Sequence, residues 1–145
     1  MTQPMNRYKM GRLISNFLTE MVIKNNLSEN DEGINVKFDF EKHIADRLID
    51  REFPKEQFEK IITRTVRYHV CEMIYLYEIG THRRINVYGD DGHMIGMTMR
   101  RTLNGNYLIK LHTCYKERNH GNRERVIKTH QIFTKKGGHF NVESS

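Results

Sequence analysis

The stretch RINVYGDDGHMIGMTMRRTLNGNYLIKLHTCY, residues 84–115, decides the fold. Before Gly80 the apolar residues recur at helical steps; from Arg84 they recur at every second position. Ile85 and Val87 share one face of a strand over residues 84–88. Gly89, Asp90, Asp91 and Gly92 make a tight turn. A second strand, residues 93–101, places Ile95, Met97 and Met99 on one face. Asn104 followed by Gly105 is a strong hairpin signal, because both residues tolerate positive φ. In a third strand, residues 106–115, Tyr107, Ile109, Leu111, Thr113 and Tyr115 share one face; Lys110, His112 and Cys114 share the other. A polar loop then leads to a fourth strand near residues 126–133. The end, residues 134–145, reads as flexible, like residues 1–4.

Upstream of this stretch the pattern is helical. Met10, Leu13, Ile14, Phe17, Leu18, Met21 and Val22 mark an amphipathic helix over residues 5–25. Residues 34–40 alternate and form a short strand or an extended lead-in. Asp39 is suited to cap a helix over residues 40–51. Pro54 suits the first turn of a third helix. Its stripe runs through Phe58, Ile61, Ile62, Val66, Val70, Met73, Ile74 and Tyr77, with His69 inside it. Helices followed by strands imply an α+β fold. The expectation is a single domain over residues 1–145, with three helices packed on one face of a four-stranded antiparallel meander.

The charge is uneven. Residues 1–80 carry 12 basic and 13 acidic side chains, and residues 81–145 carry 12 and 5. The basic excess of a +6 chain therefore belongs to the sheet-forming part, which points to a polyanionic partner, nucleic acid above all. Arg100, Lys110, His112, Lys128 and His130 can converge on one sheet face. Tyr88, Tyr107 and Tyr115 lie nearby, and cations with aromatics suit phosphates and unstacked bases. No apolar run is long enough to span a membrane, so no membrane association is expected. Two cysteines do not make a disulfide framework, and a cytoplasmic setting fits. The chain has no phosphate-binding glycine loop, dinucleotide fingerprint or nucleophile elbow. His112 and Cys114, with His130 from a neighbouring strand, could approach one ion. The spacing lacks the paired ligands of a zinc site, so neither metal nor cofactor is expected.

The chemistry-bearing stretch is residues 43–52. On a helix, Ile44, Ala45, Leu48 and Ile49 fall on one side, and His43, Asp46, Arg47, Asp50 and Arg51 on the other. This places an imidazole one turn from one guanidinium and two turns from another. The plain alternative is a solvated face on which Asp46 and Asp50 pair with Arg47 and Arg51.

The run VKFDFEKHIADRLIDREFPKEQF, residues 36–58, resembles the helix–helix region of the RegB family of phage endoribonucleases, within the RelE/YoeB-type group. The shared frame is H-x-x-D-R-x-I-x-R-E, filled here by His43, Asp46, Arg47, Ile49, Arg51 and Glu52. The resemblance implies a metal-independent ribonuclease acting on single-stranded RNA, messenger RNA in the first instance, in the cytoplasm of a bacterial host. It implies His43 as an acid or base and Arg47 as a phosphate contact. The family's further histidine on the next helix has no counterpart near Ile61, Ile62 and Thr63.

RNA can be cleaved by its own 2′-hydroxyl. That needs a base, an acid and cations on the phosphoryl oxygens. His43 is the first candidate for proton transfer, with Arg47 and Arg51 as cations. His69 and His112 are the candidates for the second proton-transfer group, and Arg100 for an additional clamp. Lys110, Lys128, His130 and Tyr115 complete the expected RNA contacts. The alternative is a non-catalytic phage protein on the same scaffold that binds RNA or the ribosome, or occupies a host protein.

Overall fold

The computed structural model describes residues 5–25, 27, 35–50, 52–79, 84–89, 92–116, 129–133 and 142–144, the last two stretches in their backbone only. Four helices and six strands follow in the order α1 (Arg7–Lys24), β1 (Val36–Phe40), α2 (Lys42–Ile49), α3 (Lys55–Tyr68), α4 (Val70–Glu78), β2 (Arg84–Tyr88), β3 (His93–Arg101), β4 (Tyr107–Lys116), β5 (Thr129–Phe133) and β6 (Val142–Ser144). The fold is α+β, as expected, but the sheet is mixed. Its order is β1-β4-β3-β2-β5-β6. β2, β3 and β4 form the antiparallel meander, while β1 runs parallel to β4 and β5 parallel to β2. β6 pairs antiparallel to β5, within the stretch expected to be a loose end. Parallel pairing needs a long crossover rather than a local turn, so no short sequence signal announces it.

The third helix of the sequence reading is two helices joined at His69, whose φ of −123° and ψ of 0° leave the helical region. Thr65 precedes the break and donates its hydroxyl to the Ile61 carbonyl at 2.7 Å, a contact that bends helices. Helix α1 is capped by the Asn6 side chain, which accepts from the Lys9 N–H at 2.9 Å. Asp39 does not cap α2. Its carboxylate accepts from the Phe40 N–H, and Glu41 holds the N-cap position.

The helices cover one sheet face. Met10, Ile14, Leu18 and Met21 of α1 join Ile44, Ala45 and Leu48 of α2, and Phe58, Ile61, Ile62 and Val66 of α3. They close over Ile85, Val87, Ile95, Met97, Met99, Ile109 and Leu111 of the sheet. Burial of these side chains is the main stabilising contribution.

Strand β4 carries an irregularity that changes its faces. Leu111 pairs with Met97 and Thr113 with Gly96, so His112 is an extra residue, a β-bulge. Past the bulge the alternation shifts. Cys114 joins Tyr107, Ile109 and Leu111 in the core, fully buried, while Tyr115 is partly exposed. The expected grouping of Thr113 and Tyr115 with the apolar face, and of Cys114 with His112, is thereby corrected.

Candidate functional site

Three registers tile the sheet face away from the helices. Asp39, Lys110, Thr98 and Arg84 pair across β1, β4, β3 and β2. Thr113, Gly96 and Asn86 form the next row, and Tyr115, Met94 and Tyr88 the third. The bulge adds His112 to the first row.

Glu41 links strand to helix at the end of this row. Its N–H donates to the Leu111 carbonyl at 2.9 Å, extending the β1–β4 ladder, and its own carbonyl accepts from the Ile44 N–H at 3.1 Å. Ile44 and Ala45 are buried to 0% and 1% exposure and anchor the helix that follows. The Glu41 carboxylate lies 3.1 Å from Lys110 Nζ and 3.9 Å from His112 Nδ1. On the other side of the ring, His112 Nε2 lies 2.6 Å from Thr98 Oγ1. A neutral imidazole has one N–H, and the carboxylate on the Nδ1 side favours the proton there. Nε2 is then the acceptor and the Thr98 hydroxyl the donor.

The electrostatics tie further groups to this centre. Lys110 holds the Glu41 carboxyl below its ordinary range, by hydrogen bond first and by charge second; His112 and His43 add to the effect. His112 is shifted down. Burial is the main cause, followed by the Arg84 charge, with Lys110 and His43 adding and Glu41 opposing. His43, exposed on the first turn of α2, is thus within electrostatic reach of both Glu41 and His112. Arg84 reaches the centre across Gly96. A Cβ at Gly96 would lie 3.3 Å from Arg84 Nη2 and 2.9 Å from the Thr113 methyl, so only glycine leaves the space.

Of the expected residues, Lys110 and His112 share the Glu41 carboxylate, and His43 lies within electrostatic reach of Glu41 and His112. Arg47 sits one turn along α2, where Glu52 holds its guanidinium at 2.6 Å and its charge reaches Cys114. Asp46 is taken by Arg7 of α1 at 2.9 Å, not by a neighbour on its own helix. His69 lies at the α3–α4 joint with 0% exposure, so it is closed to a polymeric substrate. Arg100 is exposed on β3, two residues beyond Thr98 on the same face. Tyr115 lies two rows from the Arg84–Lys110 row. His130 pairs in register with Ile85, and its side chain is outside the described residues, as are Arg51 and Lys128. The bulge sends His112 and Cys114 to opposite faces, so these two do not approach a common ion. Among the described residues no group of three metal-binding side chains forms.

The sequence reading missed Glu41, Arg84, Thr98 and Gly96. Glu41 had one usable signal: it continues the alternation of Lys37 and Asp39 opposite Phe38 and Phe40. Only the parallel β1–β4 pairing turns that alternation into contact with Lys110 and His112. No described helix is long and apolar enough to cross a membrane. Comparison of the chain with family models, curated proteins and solved structures finds no match.

Proposed function

We propose that this protein is a metal-independent endoribonuclease acting on single-stranded RNA, messenger RNA in the first instance. The observation that carries the reading is the Glu41 carboxylate set between Lys110 and His112, with His43 and Arg84 within electrostatic reach of the same centre. The RegB-like frame of residues 43–52 supports the same reading, and membership of the RelE/YoeB-type group is part of the proposal.

In the reaction, the 2′-oxygen forms a bond to phosphorus and the bond to the 5′-oxygen breaks. His112, kept neutral by its surroundings, accepts the 2′-OH proton at Nε2, the atom that Thr98 occupies in the free site. His43 gives a proton to the departing 5′-oxygen. Lys110 and Arg84 face the charge that builds on the phosphoryl oxygens. Glu41 holds the His112 tautomer and steadies Lys110. Imidazole suits both proton transfers because its ordinary pKa lies near neutrality. The product is a 2′,3′-cyclic phosphate and a free 5′-hydroxyl.

The test uses an RNA oligonucleotide with a mapped cleavage site and its twin carrying one 2′-deoxyribose at that site. The proposal expects cyclic-phosphate ends from the first and no cleavage of the second at the modified position. Cleavage of both at equal rates overturns the mechanism. Salt-sensitive RNA binding with no cleavage of either supports a non-catalytic RNA-binding protein instead.

A further inference from the structure

The even charge balance of residues 1–80 hides a local excess on α3. Residues 60–68, KIITRTVRY, carry Lys60, Arg64 and Arg67 and no carboxylate. Steps of four and three residues put one cation on each of three successive turns, along one side of the helix. The other side is spent on the core, where Ile61, Ile62, Thr65 and Val66 are buried. Lys60 and Arg67 are exposed and Arg64 partly so. The three line a groove of about 530 Å³ along α3, which Phe17 of α1 and Tyr68 also line. The Tyr68 ring is 40% exposed. Glu56 and Glu59 enter the groove from the first turns of α3, where Lys55 holds Glu59 at 3.6 Å. The groove belongs to the helical layer, on the side of the sheet opposite the Arg84–Lys110 row.

We propose that this groove is a second contact for single-stranded RNA, with Lys60, Arg64 and Arg67 on the phosphates and Tyr68 under a base. The inference rests on the RNA part of the functional reading and not on cleavage. Neighbouring cations about 5–6 Å apart along a helix face can follow the phosphates of one strand. An aromatic ring beside such a row receives an unstacked base, the pairing used in sequence-tolerant single-strand binding. A duplex keeps its base faces stacked and offers Tyr68 nothing. An acidic peptide would meet the cations but brings no base for the ring. Lys60 and Arg64 also interact within the chain. Exposed pairings of that kind contribute little, so phosphate can take over both cations.

The probe is a fluorescent 2′-O-methyl oligouridylate, which has no free 2′-hydroxyl and so survives the proposed chemistry. Binding is read by anisotropy across a salt series. Three phosphate contacts on a single strand contribute about 2 to the slope of log affinity against log salt. The variant Lys60→Ala/Arg64→Ala/Arg67→Ala is expected to lose about that much slope and to bind about tenfold or more weakly at low salt. Tyr68→Ala is expected to bind about fivefold or more weakly with the slope kept. Arg64→Lys with Arg67→Lys should keep the slope, because the charges remain. Alanine suits exposed helix positions, so the triple variant should melt with the wild type. If it does not, Lys60→Ala and Arg67→Ala carry the test singly, each at about 0.7 of slope. The inference is overturned if the wild type does not bind the probe, if the slope survives the alanines, or if Tyr68→Ala binds like the wild type. Displacement of the probe by polyglutamate as readily as by unlabelled oligonucleotide also overturns it, and marks a site for an acidic protein segment. Cation-dependent binding with RNA left intact in the cleavage assay removes the ribonuclease reading and leaves the groove standing. RNA cleavage with a slope that ignores the three cations does the reverse.

Discussion

His112 Nε2 and Thr98 Oγ1 meet at 2.6 Å, on the side of the ring opposite Glu41. His112 follows Lys110 by two residues and so lies on the face of its partner Thr98, as the extra residue of the bulge in β4. If Thr98 is the donor, its hydroxyl stabilises the neutral ring. Thr98→Val is then expected to raise the His112 pKa toward the ordinary imidazole value, read by NMR titration of the ring protons. A fall would mean that Nε2 carries the proton and Thr98 accepts it.

The charges around His112 make a second set of expectations. Arg84 and Lys110 disfavour its protonation, and Glu41 favours it. Arg84→Ala and Lys110→Ala should raise the His112 pKa, and Glu41→Gln should lower it. The acidic limb of the rate profile should move in the same directions. Glu41→Gln should also slow cleavage by about tenfold or more, through the loss of ring orientation. A rate profile that stays put in all three variants would remove His112 from the base role.

Acid sensitivity follows from two imidazoles, His69 fully buried and His112 partly so. Burial lowers the pKa of His69 and of His112 in the folded protein. The unfolded chain then binds more protons below the ordinary imidazole value of about 6.5, and stability falls with pH. Denaturant unfolding should give a constant stability above that value and a decline below it toward the folded pKa values. His69→Gln should flatten part of the decline. A stability that rises on acidification through this range would contradict the assignment.

The two thiols should behave differently. Cys71 is exposed, whereas Cys114 is buried and its thiol is pushed up to about 12, mainly by burial. Alkylation of the native protein should label Cys71 alone, and denaturant should expose the second site; mass spectrometry reads both. Rapid native labelling of Cys114 would mean that β4 does not carry the bulge described. Leu111→Ala, at the base of the same bulge and 0% exposed, should cost about 2–5 kcal/mol of stability in denaturant melts.

Much of the fold is legible in local pattern. Met10 to Met21 give α1, Ile95, Met97 and Met99 give the inner face of β3, and Gly105, at φ +79°, closes the β3–β4 hairpin as its dipeptide implies. What local pattern lacks is pairing at long range. The parallel β1–β4 contact joins residues some seventy apart in sequence. A bulge shifts alternation without leaving a mark in the residue types. Both omissions fall on the candidate site. His43 and His112 are visible as chemistry, but the register that brings Glu41, Arg84 and Thr98 to them is not. The frame of residues 43–52 draws attention to Arg47, yet Glu52 and Asp46 show how a helix face spends its charges on its own neighbours. The imidazole of that frame lies within electrostatic reach of Glu41 and His112, and its first guanidinium within reach of Cys114 on the opposite face of the strand.

The most direct measurement is cleavage of single-stranded RNA in excess EDTA by the wild type, His43→Ala, His112→Ala and the double variant, each checked for folding by circular dichroism. The account predicts cyclic-phosphate products from the wild type. It predicts losses of about 10²-fold or more in each single variant, and a double variant far less impaired than the product of the two losses. Full activity in a folded His43→Ala or His112→Ala protein, or cleavage abolished by EDTA, would contradict it.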